Sequence, residues 1–182
     1  LIEQAWQEIC VEFELTAEQF PFPDLGVMIE VPSAVFIIEQ LAEQVDFLSV
    51  GTNDLTQYLL AVDRNNSRVA DLFDSYHPAV LQVMQLILKQ SQQYNIEVSI
   101  CGELAGDPIG LLILLGLGYR KLSMNAFNIN KVKYLLNKVT IPELEACTQV
   151  ALKGHDGAFI KKTFIDYLDT KGLGGFVRAG KK

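Results

Sequence analysis

Two carboxylates and a thiol stand out because each follows a short apolar run. Glu30 closes Val27-Met28-Ile29-Glu30, Asp54 closes the stretch from Phe47 through Gly51-Thr52-Asn53-Asp54, and Cys101 ends Val98-Ser99-Ile100-Cys101 before Gly102-Glu103. Glu30 and Asp54 are 24 residues apart, about one strand–helix unit. Neighbouring parallel strands would then project both carboxylates from the edge where α/β folds bind ligands. Two carboxylates held close repel, and a hard divalent cation relieves the repulsion. Mg2+ suits such a pair, because it takes one or two carboxylates and completes its octahedron with substrate oxygens and water. The plainer reading is two strand-end carboxylates making caps or ion pairs, and spacing alone leaves both open.

The turn Gly51-Thr52-Asn53-Asp54 adds a hydroxyl, an amide and backbone N–H groups that could hold an anion. Arg64 follows one helical stretch later and could fold back onto phosphate or carboxylate, or remain a solvated surface charge. Cys101 could expose its thiol beside Gly102, or be a small buried hydrophobe like most free cysteines. Cys10 and Cys147 fit the second description. His77 precedes Pro78 and is expected to set a helix start; His155, in a polar turn, is expected at the surface. Three widely spaced cysteines do not form a disulfide framework, and reduced thiols in a cytoplasm are the simpler expectation. No CxxC or His-x-x-x-His spacing occurs, so any metal should be oxygen-bound.

Four apolar runs, 26–31, 47–51, 97–101 and 121–124, predict buried parallel strands covered on both faces. Helical patterns separate them. Pro32-Ser33 opens a helix to about Gln44, Pro78 one through Tyr94, and Asp107-Pro108 one through Leu115. A further helix is expected after Asn130, then helices over about 141–153 and 156–169. The tail 170–182, rich in glycine at first and basic at its end, is expected to be loose. Helix followed by four strand–helix units is the rhythm of parallel α/β architecture, either half of a (β/α)8 barrel or a small open sheet.

Composition removes other classes. Hydrophobic residues make up 49% of the 182 and charged residues 20%, which excludes a disordered chain. A net charge of −7 argues against coating nucleic acid. The longest apolar run, 109–119, is too short to span a bilayer, which takes about 20 residues. The start at Leu1 has neither Met nor a basic signal segment, and reads as a helix entered partway in a longer protein.

The ordered set Val27-Met28-Ile29-Glu30-Val31-Pro32, Asp46 through Tyr58, Ala61-Val62-Asp63-Arg64 and Cys101-Gly102-Glu103-Leu104-Ala105-Gly106-Asp107 resembles the phosphoenolpyruvate-utilising enzymes. Within them it is most similar to the enzyme I branch of the bacterial phosphotransferase system, the phosphoenolpyruvate–protein phosphotransferases. The tail Gly172-Leu173-Gly174-Gly175-Phe176-Val177-Arg178 looks like the nitrogen-related version. The resemblance implies a (β/α)8 TIM barrel, of which residues 1–182 carry about the second half plus C-terminal helices. It implies Mg2+ as cofactor, Glu30 and Asp54 as metal ligands, and phosphoenolpyruvate as substrate. Asn53 and Arg64 match residues that hold the phosphate, with Thr52 and Gly102 beside them as substrate-binding positions. Cys101 matches the acid that protonates the enolate. The phosphoryl group would pass to a histidine on a separate N-terminal domain, then to a histidine phosphocarrier protein, releasing pyruvate. Neither His77 nor His155 lies in that histidine's motif. The family domain forms a homodimer, and four strands with open edges point to self-association as well. Pyruvate–phosphate dikinases and phosphoenolpyruvate synthases share the Asn53-Asp54 and Cys101-Gly102-Glu103 segments, so such a parent remains an alternative. An inert dimerisation module is another.

Overall fold

The computed structural model describes residues 1–178. In chain order the elements are α1 (Ile2–Glu12), β1 (Gly26–Ile29), α2 (Pro32–Val35), α3 (Ile38–Ala42), β2 (Phe47–Gly51), α4 (Thr52–Leu60), α5 (Pro78–Gln93), β3 (Glu97–Cys101), α6 (Pro108–Leu117), β4 (Lys121–Leu122), α7 (Ala126–Leu136), α8 (Ile141–Ala151), α9 (Gly157–Thr170) and α10 (Gly175–Arg178). The four strands form one parallel sheet in the order β1-β2-β3-β4. This is an α/β fold with a four-stranded parallel sheet, as the alternating strand and helix patterns predict.

Register divides the sheet into two unlike faces, because successive residues of a strand point to opposite sides. Ile29 pairs with Val50, Val50 with Ile100, and Ile100 with Leu122. Ile29, Leu48, Val50 and Ile100 are fully buried, packed with Val35, Ile38 and Leu55 from the helices after β1 and β2 and with Val80, Met84 and Ile87 of α5. The other face carries Met28, Ser49, Ser99 and Lys121 in one paired row. Met28 there is 49% exposed. The expectation of strands covered on both faces is therefore corrected: within this chain helices cover one face only.

Local chemistry also explains the shifted boundaries. Residues 32–44 form two short helices instead of one. Ile37 leaves the helical region, and the run Val35-Phe36-Ile37-Ile38 is β-branched and aromatic, with restricted χ1 in a helix. The helix expected after Asn130 starts at Ala126, because Asn125 accepts from the Phe127 N–H at 3.0 Å and caps it. His77 sets the start of α5 as expected, its Nδ1 accepting from Ala79 N–H.

A second apolar cluster lies outside the sheet layer. From Ile109 to Gly116 every residue of α6 is buried, with α8, α9 and the turn of residues 103–105 packed around it. Gly116 permits the α6–α8 crossing: a Cβ there would lie 2.0 Å from Thr148 Oγ1 and 2.6 Å from the Leu144 carbonyl. Tyr119 is fully buried and donates its hydroxyl proton to the Met84 carbonyl at 2.7 Å. Leu173 is buried in this cluster, and Phe176 stacks on Tyr134. That packing differs from the loose tail expected over 170–182, of which residues 179–182 lie outside the described residues.

Glu143 joins α8 to α9. Its carboxylate accepts from Lys171 Nζ, from the Thr140 hydroxyl and backbone N–H, and from the Tyr167 hydroxyl. The bond from Lys171, then that from Thr140, holds its pKa down to about 2. A carboxyl held below its unfolded value of about 4.3 adds stability above that pH, and loses it as pH falls toward the folded value. We expect Glu143→Gln to lower the urea midpoint at pH 7, with the difference from wild type shrinking as pH falls from about 4 toward 2. A difference that stays constant over that range would contradict this role.

Candidate active site at the strand ends

The site builds on the last residue of each strand. Gly51 pairs with Cys101, and the Ser123 N–H donates to the Ile100 carbonyl at 2.8 Å. Glu30 follows β1 directly and leans across β2: a Cβ on Gly51 would lie 2.7 Å from both Glu30 Cγ and Oε1. Glycine at 51 is thus what admits the Glu30 carboxylate to the middle of the edge. The chain passes from Gly51 straight into α4, so Thr52, Asn53 and Asp54 form that helix's first turn, where free N–H groups and the helix dipole favour anions.

Arg64 does fold back. Its Nη2 lies 3.5 Å from Asp54 Oδ1, and its backbone N–H donates to Gln57 Oε1 at 3.2 Å. Ala61 makes the return possible by ending α4 in the left-handed conformation, φ 53°. Both charged side chains remain about one-third exposed, at 34% and 40%, so the pair is open to solvent and to a ligand. Glu30 and Asp54 are hard oxygen donors, one directly after β1 and the other in the first turn of α4. Among the described residues no group of three or more His, Cys, Asp or Glu forms a closed metal cage. Two carboxylates at an open site fit Mg2+, which keeps positions for water and substrate oxygens.

Cys101 is half-buried. Its Sγ accepts from Ser49 Oγ at 3.1 Å and donates to the Val50 carbonyl at 3.4 Å. The thiol therefore lies on the open face of the sheet beside Gly51. Gly102 adopts φ 135°, which side chains rarely tolerate, and a Cβ there would stand 2.2 Å from Thr52 Oγ1. The turns after β2 and β3 touch through this glycine. Thr52 is buried, and its hydroxyl has no hydrogen-bond partner among the described residues.

Two cavities open on either side of Asn53 and Glu103. One, of about 310 Å³, is lined also by Gly102, Ser123, Asn125 and Asn128. The other, of about 400 Å³, is lined by Asp74, Tyr76, Asp107, Gly157 and Lys161. Asn53 and Glu103 line both cavities and Gly102 the smaller one, whereas Glu30, Asp54, Arg64 and Cys101 line neither. The sequence reading passed over Tyr76 and Lys161, which come from the 61–77 loop and from α9. No motif marks them, and only tertiary packing brings them there. Cys10 and Cys147 lie on α1 and α8, away from this edge, and burial pushes the Cys147 thiol up to about 11. His155 is exposed in the turn before α9. Among the described residues no helix is long and apolar enough to cross a membrane.

Residues 1–141 match a family model described as PEP-utilising enzyme, PEP-binding domain. A protein of Escherichia coli named phosphoenolpyruvate-dependent phosphotransferase system is 44% identical over 180 residues, 99% of this chain and 24% of that protein. Phosphoenolpyruvate-protein phosphotransferases of Borreliella burgdorferi and Bacillus subtilis are 44% and 40% identical, over 87% and 78% of this chain and 27% and 25% of their own lengths. The chain spans about a quarter of the length of these curated relatives. With a family model matched over most of its length and a strand-end edge built from the same motifs, the chain belongs to the phosphoenolpyruvate-utilising enzymes, in the part described as their PEP-binding domain.

Proposed function

We propose that this chain is the phosphoenolpyruvate- and Mg2+-binding part of a phosphoenolpyruvate–protein phosphotransferase of the nitrogen-related type. The observation that carries the reading is the meeting of Glu30, Gly51 and Cys101 at one edge, with Arg64 folded onto Asp54 beside it. Glu30 and Asp54 hold the metal. Arg64, Asn53 and the first turn of α4, beginning at Thr52, hold the phosphate, while Gly102 keeps the neighbouring turn close enough to share it. Bound Mg2+ supplies positive charge to the moving phosphoryl group and to the enolate oxygen it leaves. The phosphorus–oxygen bond of phosphoenolpyruvate breaks as a bond to the accepting histidine nitrogen forms on another domain. Cys101 then gives its thiol proton to the enolate carbon, yielding pyruvate, and regains one from solvent. A thiol carries a transferable proton, as this step requires. The histidine passes the phosphoryl group to a histidine phosphocarrier protein. The reading places the protein in the cytoplasm.

The open sheet supports two further parts of this reading. Four parallel strands with one uncovered face need further strands, and closure into an eight-stranded (β/α)8 barrel would cover it. The open strand edges of the sheet also favour a homodimer.

Asp54→Asn and Glu30→Gln in the intact protein should each abolish Mg2+-dependent phosphorylation by phosphoenolpyruvate, measured with labelled substrate. Wild-type rates in both would refute the metal assignment. Cys101→Ser should slow pyruvate formation on the order of a hundredfold, the scale of a lost general acid, because a serine hydroxyl is a far weaker acid. Turnover within twofold of wild type, with unchanged deuterium incorporation at the methyl carbon, would contradict that role.

A further inference from the structure

The loop of residues 61–77, between α4 and α5, carries Arg64 at one end and Tyr76 at the other. Its Tyr76 end is tied at several points. Asp74 Oδ1 accepts from the Tyr76 N–H at 2.9 Å, and the Asp74 carbonyl accepts from the His77 N–H at 3.1 Å. The Tyr76 hydroxyl donates to Asp107 Oδ2 at 2.5 Å, and the same oxygen accepts from the Gly110 N–H at 2.7 Å, capping α6. Asp107 lies in the segment that runs on from Cys101-Gly102-Glu103. One hydrogen bond therefore links the loop bearing Arg64 to the turn bearing Cys101.

Helix α9 supports this link from outside. The Asp74 carboxylate rests on Gly157 at the first turn of α9, where a Cβ would come within 1.9 Å of Oδ2. A carboxylate is favoured at that end of the helix dipole. Lys161 of α9 sits 5.3 Å from the centre of the Tyr76 ring. Burial, with Asp107 and Asp74 beside it, pushes the Tyr76 hydroxyl up, so it remains a neutral donor. Helix α9 lies beyond residue 141, where the matched PEP-binding region ends.

We propose that Tyr76 is a positioning residue: bonded to Asp107 and backed by Lys161 of α9, it sets the spacing between the loop carrying Arg64 and the Cys101-Gly102-Glu103 turn. The C-terminal helices are in this way part of the apparatus that holds the substrate phosphate, instead of an appendage to it. The consequence for the phosphate rests on the proposed role of Arg64; the link itself does not.

Two readouts separate these. In the 182-residue chain, Tyr76→Phe keeps the ring and removes the hydroxyl. It should speed amide hydrogen exchange across residues 63–76 about fivefold, the scale of one lost hydrogen bond, and leave the amides of α8 unchanged. Lys161→Gln, a half-exposed position that will not unfold the chain, should do the same to a lesser degree. Unchanged exchange in both variants overturns the proposal, and so does a uniform increase over all elements, which would mark general destabilisation. In the intact protein, Tyr76→Phe should raise KM for phosphoenolpyruvate severalfold with kcat within twofold, and add nothing on an Arg64→Ala background. Faster exchange confined to the loop together with an unchanged KM upholds the link, and contradicts the assignment of Arg64 to the phosphate.

Discussion

Gly51 is the point on which the rest of the candidate site depends. It ends β2, pairs with Cys101 across the sheet, and has the Glu30 carboxylate leaning over it from β1. Any side chain there would collide with that carboxylate. The next residue already belongs to α4, so the free N–H groups of a helix start lie one step from the metal-binding candidates. A glutamate, a helix N-terminus and a thiol come from three separate strands, and parallel register alone brings them level. A shift of one residue in β2 would send Gly51 to the helix-covered face and a larger side chain to the edge.

That register is held by burial on the opposite face. Ile29, Leu48, Val50 and Ile100 are sealed against helices that could not pack if a strand slipped. The face that remains has small or polar residues toward its C-terminal end, Ser49, Ser99, Cys101 and Gly51, and so leaves room for a ligand. The second cluster, around α6, anchors the edge from behind. Asp107 caps α6 and also receives the Tyr76 hydroxyl, so the most apolar helix of the chain is joined to the most polar corner.

Much of this was legible from residue order. Apolar runs ending at Glu30, Gly51 and Cys101 mark strand ends, and Asp107-Pro108 and His77-Pro78 mark helix starts, because each signal is local. The break at Phe36-Ile37 and the early start of α7 at Asn125 were misjudged: a β-branched run and a single asparagine each have two local outcomes, and packing decides between them. Coverage of only one sheet face was also missed, since the runs hold enough Val, Ile and Leu to suit burial on both sides. The return of Arg64 onto Asp54 depends on the left-handed Ala61, and the approach of Lys161 to Tyr76 spans 85 residues of sequence. Such contacts leave no periodic trace.

The central claim is that the ends of β1 and β2 form one divalent-cation site with room for an anion. It can be tested without turnover by adding Mn2+ to the isotope-labelled 182-residue chain and recording amide signals. The account predicts paramagnetic broadening confined to residues near Glu30, Gly51–Asp54 and Cys101–Glu103, reversed by excess Mg2+ and lost in Asp54→Asn. Broadening absent from these positions, or centred instead on exposed carboxylates such as Asp71 or Glu12, would contradict it.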